Sequence, residues 1–157
     1  MREILFRGKA INRNPYCEYR TNYQNGDWVY GLVSKLFDSY FELPDAEMTN
    51  ESGVSGIEVD GRTVGQYTGL TDKNGVKIFE GDIIKVDDDF DTFGKMAGEI
   101  REVWYKSGGF RLKPKYPSSI ARGDRGYWME DGADFEVIGN IYDNPELLEA
   151  GDSDDEP

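Results

Sequence analysis

Between Thr63 and Val86 the chain reads TVGQYTGLTDKNGVKIFEGDIIKV, a run that leaves its backbone little choice. Val64, Tyr67, Ile78, Ile83, Ile84 and Val86 supply the β-branched and aromatic side chains that suit a pleated, half-buried surface. Between them, Asp72-Lys73-Asn74-Gly75 holds an Asn-Gly pair, and those residue types accept the positive φ angles of a tight hairpin turn. Gly81-Asp82 then punctuates the sequence before a further strand.

Similar signals recur on both sides. Ile4 and Phe6 alternate with Glu3 and Arg7 as far as a break at Gly8, which predicts a strand with one buried face. Asn12 to Tyr16 reads as a loop. Asn25-Gly26-Asp27 is a turn signal before a strand at Trp28 to Val33, in which Trp28 and Tyr30 share a face. From Leu32 to Phe41 strand and helix readings compete. Pro44 and the polar run Thr49-Asn50-Glu51-Ser52-Gly53 argue against regular structure, so 44–56 reads as a mobile insertion. A short strand at Ile57 to Val59 follows, with Asp60-Gly61 as its turn.

Beyond the central hairpin, Asp87 to Gly94 is too charged to bury. Gly98 to Tyr105 and Gly109 to Lys113 form a second hairpin about Ser107-Gly108-Gly109. Pro114 and Pro117 end it, since proline lacks the amide donor of a central ladder, and 114–126 is a second loop. Phe135 to Tyr142 alternates around Gly139 as a last strand. Asn144-Pro145-Glu146 then supplies an N-cap, a proline at the first helical position and an acid near the positive helix end, which predicts a short turn of helix through Leu147 and Leu148.

Short strands with turns at close spacing predict a mainly β fold, a small antiparallel β-barrel with long loops and a short C-terminal helical turn. The 157 residues suffice for one domain with its own core, spanning 1–148. The remainder, 149–157, carries Glu149, Asp152, Asp154, Asp155 and Glu156 and reads as an acidic, disordered tail.

The single Cys17 cannot form an intramolecular disulfide, and there is no cysteine cluster for zinc and no secretory apolar segment, which points to a reduced cytoplasmic protein. No run of ~18 apolar residues exists, so no membrane partner is expected. With 31 acidic against 18 basic residues the formal charge is −13, which repels phosphate backbones and disfavours direct nucleic-acid binding. Were such binding to occur, it would use Lys106, Arg111, Lys113 and Lys115, interleaved with Phe110 and Tyr116.

Catalytic groups are scarce. Histidine is absent, which removes the usual proton carrier near neutral pH and the usual activator of Ser or Cys nucleophiles. The acids lack the contrasting environments that would set a catalytic pair apart. Asp87, Asp88, Asp89 and Asp91 suggest a calcium loop, yet its sixth position would be Thr92 where glycine is needed and its twelfth Gly98 where a bidentate glutamate is needed. Gly123-Asp124-Arg125-Gly126 lacks the spacing and lysine of a phosphate loop. No catalytic, metal or cofactor residues are assigned, no cofactor is expected, and the chain is read as not an enzyme. Aromatic residues make up 13%, enough to supply a recognition face as well as a core. The candidate interaction surface comprises Asp87, Asp88, Asp89, Asp91, Trp104, Tyr105, Tyr116, Tyr127 and Trp128.

Several blocks, taken in order, resemble the YopX-like family of phage and prophage proteins. They are Arg2-Glu3-Ile4-Leu5-Phe6-Arg7-Gly8-Lys9, Gly26-Asp27-Trp28-Val29-Tyr30-Gly31, the run from Val64 to Gly75, Ile78-Phe79-Glu80-Gly81-Asp82-Ile83 and the run from Glu136 to Leu148. The resemblance implies a mostly β, SH3-like barrel and a phage or prophage origin. It transfers no catalytic or ligand residue. The expected role is a non-enzymatic accessory protein that binds a host or phage protein, with self-association as a related expectation. The alternative is an acidic DNA mimic that occupies the DNA-binding groove of a host defence or replication protein.

Overall fold

The computed structural model describes residues 3–11, 22–36, 45–87, 98–114, 127–129 and 134–150. Among the described residues ten strands and one helix form: β1 Phe6–Ala10, β2 Trp28–Leu36, β3 Asp45–Asn50, β4 Ile57–Thr71, β5 Lys77–Phe79, β6 Asp82–Val86, β7 Ile100–Lys106, β8 Gly109–Leu112, β9 Tyr127–Trp128, β10 Phe135–Asn140 and α1 Glu146–Ala150. The fold is mainly β, and its strand pairings are antiparallel. The chain divides into two compact units, Met1–Tyr67 and Thr68–Pro157, with β4 continuing from one into the other.

In the first unit the pairings run β1 to β2, β2 to β3, β3 to β4 and back from β4 to β1, so they close on themselves. Ala10, Val29, Ala46, Met48, Ile57 and Val59 form the enclosed core. Gly8 does not break β1. A Cβ there would stand 3.1 Å from a Val59 methyl carbon and 3.2 Å from the Met48 sulfur, so glycine lets the core pack against the backbone of a continuing strand.

The segment 44–56, expected to lack regular structure, supplies β3 at Asp45–Asn50. Ala46 and Met48 alternate with Glu47 and Thr49, and both apolar side chains are fully buried. Tight reversal follows only at Glu51-Ser52, where Gly53 N–H donates to the Asn50 carbonyl and Val54 N–H to the Asn50 side chain. Similarly, Asp60-Gly61 is a bulge within β4, and the strand expected to stop at Val59 runs on to Thr71. Arg7 faces Gly65 but Lys9 faces Asp60, so extra β4 residues are accommodated opposite Gly8. Thr63 fills the interrupted ladder: its hydroxyl accepts from Lys9 N–H at 2.8 Å and donates to the Asp60 carbonyl at 2.7 Å. For β2, strand prevails over helix as far as Leu36.

The second unit is built on a five-stranded sheet ordered β10-β6-β7-β8-β9, with the end of β4 paired to β5. Ile78, Ile84, Val86, Val103, Leu112 and Phe135 make its core. A turn forms at Asp72 to Gly75, but of the Asn-Gly pair only Gly75, at φ 80°, takes a positive φ: Lys73 and Asn74 are the central residues of a turn closed by Gly75 N–H donating to the Asp72 carbonyl. Asp72 holds that turn through one carboxylate oxygen, which accepts from the N–H groups of Asn74 at 2.8 Å and Val76 at 2.9 Å. Next, β10 ends at Asn140, two residues short of the expected limit, because the Asn140 side-chain oxygen accepts from Tyr142 and Asp143 N–H and curls the chain. The helix begins where Asn144-Pro145-Glu146 predicts, but the Asn144 side-chain oxygen lies 3.4 Å from Asn140 N, and it is the Asn144 backbone carbonyl that accepts from Leu147 N–H. Among the described residues, no helix is long and apolar enough to cross a membrane.

Candidate functional site

The hairpin formed by β7 and β8 carries two of the candidate residues, Trp104 and Tyr105, and β9 beside it carries Tyr127 and Trp128. Ser107 at φ 52° and Gly108 at φ 84° occupy its two-residue turn, both in the left-handed region that matches the twist of the flanking strands. Across the ladder Val103 faces Leu112, Trp104 faces Arg111, Tyr105 faces Phe110 and Lys106 faces Gly109. Alternation then separates two faces. Val103 and Leu112 are buried in the core, and Tyr105 and Phe110 extend that face towards the turn. Their rings meet edge to face at 5.3 Å, with Tyr105 52% exposed.

The opposite face gathers Glu102, Trp104, Lys106, Arg111 and Lys113. The Lys106 ammonium lies 5.2 Å and the Lys113 ammonium 5.7 Å from the centre of the Trp104 ring, within the range of cation–π attraction. Lys113 also pairs with Glu102 at 2.7 Å, while Lys113 N–H donates to the Glu102 carbonyl. The buried Arg111 donates from Nε to the Lys106 carbonyl at 3.1 Å and braces the turn. Trp104 Nε1 is buried and has no hydrogen-bond partner among the described residues.

The remaining sequence candidates are not gathered there. Asp87 sits at the end of β6, where its carboxylate pairs with Lys73 at 2.6 Å and its N–H donates to the Asp134 carbonyl. Lys73 pairs with Glu136 as well, at 3.0 Å. The hydrogen bonds that the Lys73 ammonium donates to these two carboxylates, then their charges, hold its pKa well above the usual lysine range despite partial desolvation. Asp87 therefore belongs to a cross-linked turn. Tyr127 and Trp128 form β9, whose register puts Trp128 opposite Arg111 and Tyr127 opposite Leu112. Asp88, Asp89, Asp91, Tyr116 and Cys17 lie outside the described residues, as do most of the 114–126 loop and the 151–157 part of the tail. No group of three or more Cys, Asp or Glu capable of holding a metal ion occurs among the described residues.

Sequence reasoning missed a second cluster, in the first unit. The Arg7 guanidinium lies 4.6 Å and the Lys9 ammonium 5.3 Å from the centre of the Trp28 ring. Lys9 faces Trp28 and Arg7 faces Tyr30 across the β1–β2 ladder, so the cluster follows from register. Tyr30 and Leu32 continue the face of Trp28 along β2, and both are exposed. Alternation alone pointed to the shared face of Trp28 and Tyr30. It could not say which strand would supply the cations.

No curated protein matches the chain. Among solved structures, it is similar to a crystal structure of protein EF1440 from Enterococcus faecalis, at 26% identity over 94% of this chain and 99% of that one, with a TM-score of 0.46. A family model described as YopX protein matches residues 6–149. That match takes in every strand of both units, and with it the chain belongs to the YopX family.

Proposed function

We propose that this protein is a non-enzymatic, protein-binding accessory module, of phage or prophage origin, that uses the β7–β8 hairpin as its contact surface. The observation that carries the reading is the pairing of an exposed aromatic edge, Tyr105 on Phe110, with a tryptophan flanked by two lysines on the other side of the same hairpin. Tyrosine and tryptophan bring large contact area at low entropic cost, and two-residue turns present such side chains on a rigid support. The chain contains no histidine, the usual residue for relaying a proton near neutral pH, which supports a non-enzymatic reading.

The acidic-decoy reading would rest on the β3–β4 ladder, where Asp45 faces Asp60 and Glu47 faces Glu58; many of the described acids are otherwise engaged. Asp72 and Asp82 are buried, while Asp60, Asp87, Glu99, Glu102 and Glu136 are paired with Arg62, Lys73, Arg101, Lys113 and Lys73 in turn.

The test is affinity capture from lysate of the bacterium that carries the gene, run in parallel with wild type and with Tyr105→Ala. A protein retained by wild type and lost with Tyr105→Ala, under conditions where both share one circular dichroism spectrum, is the expected result. Equal retention by both, or retention of nothing across a range of salt, rejects the hairpin as the contact surface.

A further inference from the structure

We infer that the outer face of β2, β3 and β4 in the first unit docks a basic segment of a partner protein, one in which lysine or arginine alternates with apolar residues. Val33, Met48 and Ile57 pack into the core, so the residues that alternate with them along each strand turn outward. Register sets these side by side: Leu32 faces Thr49, Lys35 faces Glu47, and Glu47 faces Glu58. Leu32 is 52% exposed, and Tyr30 on the same face of β2 is 37% exposed. Directly opposed residues hold their Cβ atoms about 5 Å apart, and like charges at that spacing repel. Neither Glu47 nor Glu58 forms an ion pair with a described residue, Lys35 included. An ammonium or guanidinium group seated between the two carboxylates replaces their repulsion with charge-assisted hydrogen bonds. Both acids keep contact with solvent, so the cation enters without disturbing the core.

Sign and surface chemistry together choose the occupant. A formal charge of −13 draws cationic partners towards the chain and repels nucleic acid and acidic peptides. A bare metal ion is a poor match, because no group of three or more acidic or cysteine ligands occurs among the described residues. Tyr30 and Leu32, moreover, gain by leaving water only against apolar side chains. Leu32 stands opposite Thr49, two residues along β3 from Glu47, so one short segment spans the acids and the apolar stripe together. This face lies outside the β7–β8 hairpin, and its fate is separate from the reading given to that hairpin.

Fluorescence anisotropy with a labelled hexapeptide of alternating lysine and leucine tests the inference, against a hexapeptide of the same charge with serine in place of leucine. The expected result is saturable binding of the lysine-leucine peptide, tighter than that of the lysine-serine peptide and weaker as salt rises. Glu47→Gln/Glu58→Gln should weaken it about threefold or more, whereas Glu146→Gln/Glu149→Gln, which removes the same formal charge from exposed positions of α1, should leave it unchanged. Leu32→Ser should erase the preference for leucine over serine. Where the Glu47 and Glu58 double variant loses its native circular dichroism spectrum, Glu58→Gln alone takes its place and should weaken binding in the same sense. Absence of saturable binding, equal losses in the two acid variants, or equal affinity for the two peptides overturns the inference. Lysate capture that is lost with Tyr105→Ala bears on the hairpin alone, and peptide binding that is lost with Glu47 and Glu58 bears on this face alone.

Discussion

Asp72 and Val137 are separated by 65 residues, yet the Asp72 carboxylate accepts a hydrogen bond from Val137 N–H at 3.0 Å. The other oxygen of the same carboxylate holds the β4–β5 turn, and Lys73 N–H donates to the Phe135 carbonyl beside it. One buried side chain thus shapes a local hairpin and fixes it along the outer edge of β10. Burial alone would raise its pKa, but hydrogen bonds from the N–H groups of Val137, Val76 and Asn74, with the charge of Lys73, together bring it below its ordinary 3.8. A carboxyl depressed in the folded state contributes stability above its unfolded value and loses it as pH falls through the folded value. Urea midpoints should accordingly hold near neutral pH and drop below about pH 4. Asp72→Asn sets an amide donor against backbone donors and should cost about 1–3 kcal/mol at neutral pH. The part of the acid limb that Asp72 contributes should flatten in that variant.

Ser107 takes a φ of 52°, a conformation that costs a serine more than an asparagine or a glycine. Ser107→Asn converts the turn to Asn-Gly and should stabilise the protein by about 0.5 kcal/mol, read as a higher melting temperature. The opposite substitution at its neighbour, Gly108→Val, should destabilise, since a β-branched residue is strained at φ 84°.

Gly31 is a site of close approach. A Cβ placed there would stand 1.9 Å from the Thr49 carbonyl oxygen and 2.8 Å from the Asn50 Cα. Both obstacles are backbone, so β2 and β3 would have to separate. Gly31→Ala is expected to cost about 3 kcal/mol in chemical denaturation and to raise amide exchange along the β2–β3 ladder.

Thr63→Val keeps shape and removes the hydroxyl that receives Lys9 N–H at the β4 bulge. An amide left without its acceptor in a half-buried position should cost about 1–3 kcal/mol. Hydrogen exchange at Lys9 should accelerate more than at Phe6, which lies in the regular part of the same ladder.

The turns were the most readable part of the chain, because Asp72 to Gly75 and Ser107-Gly108 combine residue types whose backbone preferences are local. Strand β3 was harder to read. Ala46-Glu47-Met48-Thr49 does alternate, but alanine, glutamate and methionine carry weak strand preference, and Pro44 and Gly53 nearby speak for a loop. Burial of Ala46 and Met48 against partners far along the chain overrides those local signals. At the candidate surface Trp104 and Tyr105 could be named from composition, whereas the lysines at the Trp104 ring depend on which residues of β8 lie across from β7. Register is a tertiary property, and one residue of slippage would move every such cation to the other face. The same limit hid Arg7 and Lys9 at Trp28.

Strand β1 is paired along both of its sides, by β2 through Phe6 to Lys9 and by β4 through Phe6 to Ala10. For a chain made from its N-terminus, this means that β1 is completed only after β4 has been translated. Its β4 partners, Val59 to Gln66, are translated some seconds later at about 5–20 residues per second. Until then its hydrogen-bonding edge is open to a neighbouring nascent chain, so crowding on a polysome is a circumstance in which this protein is exposed to misassembly.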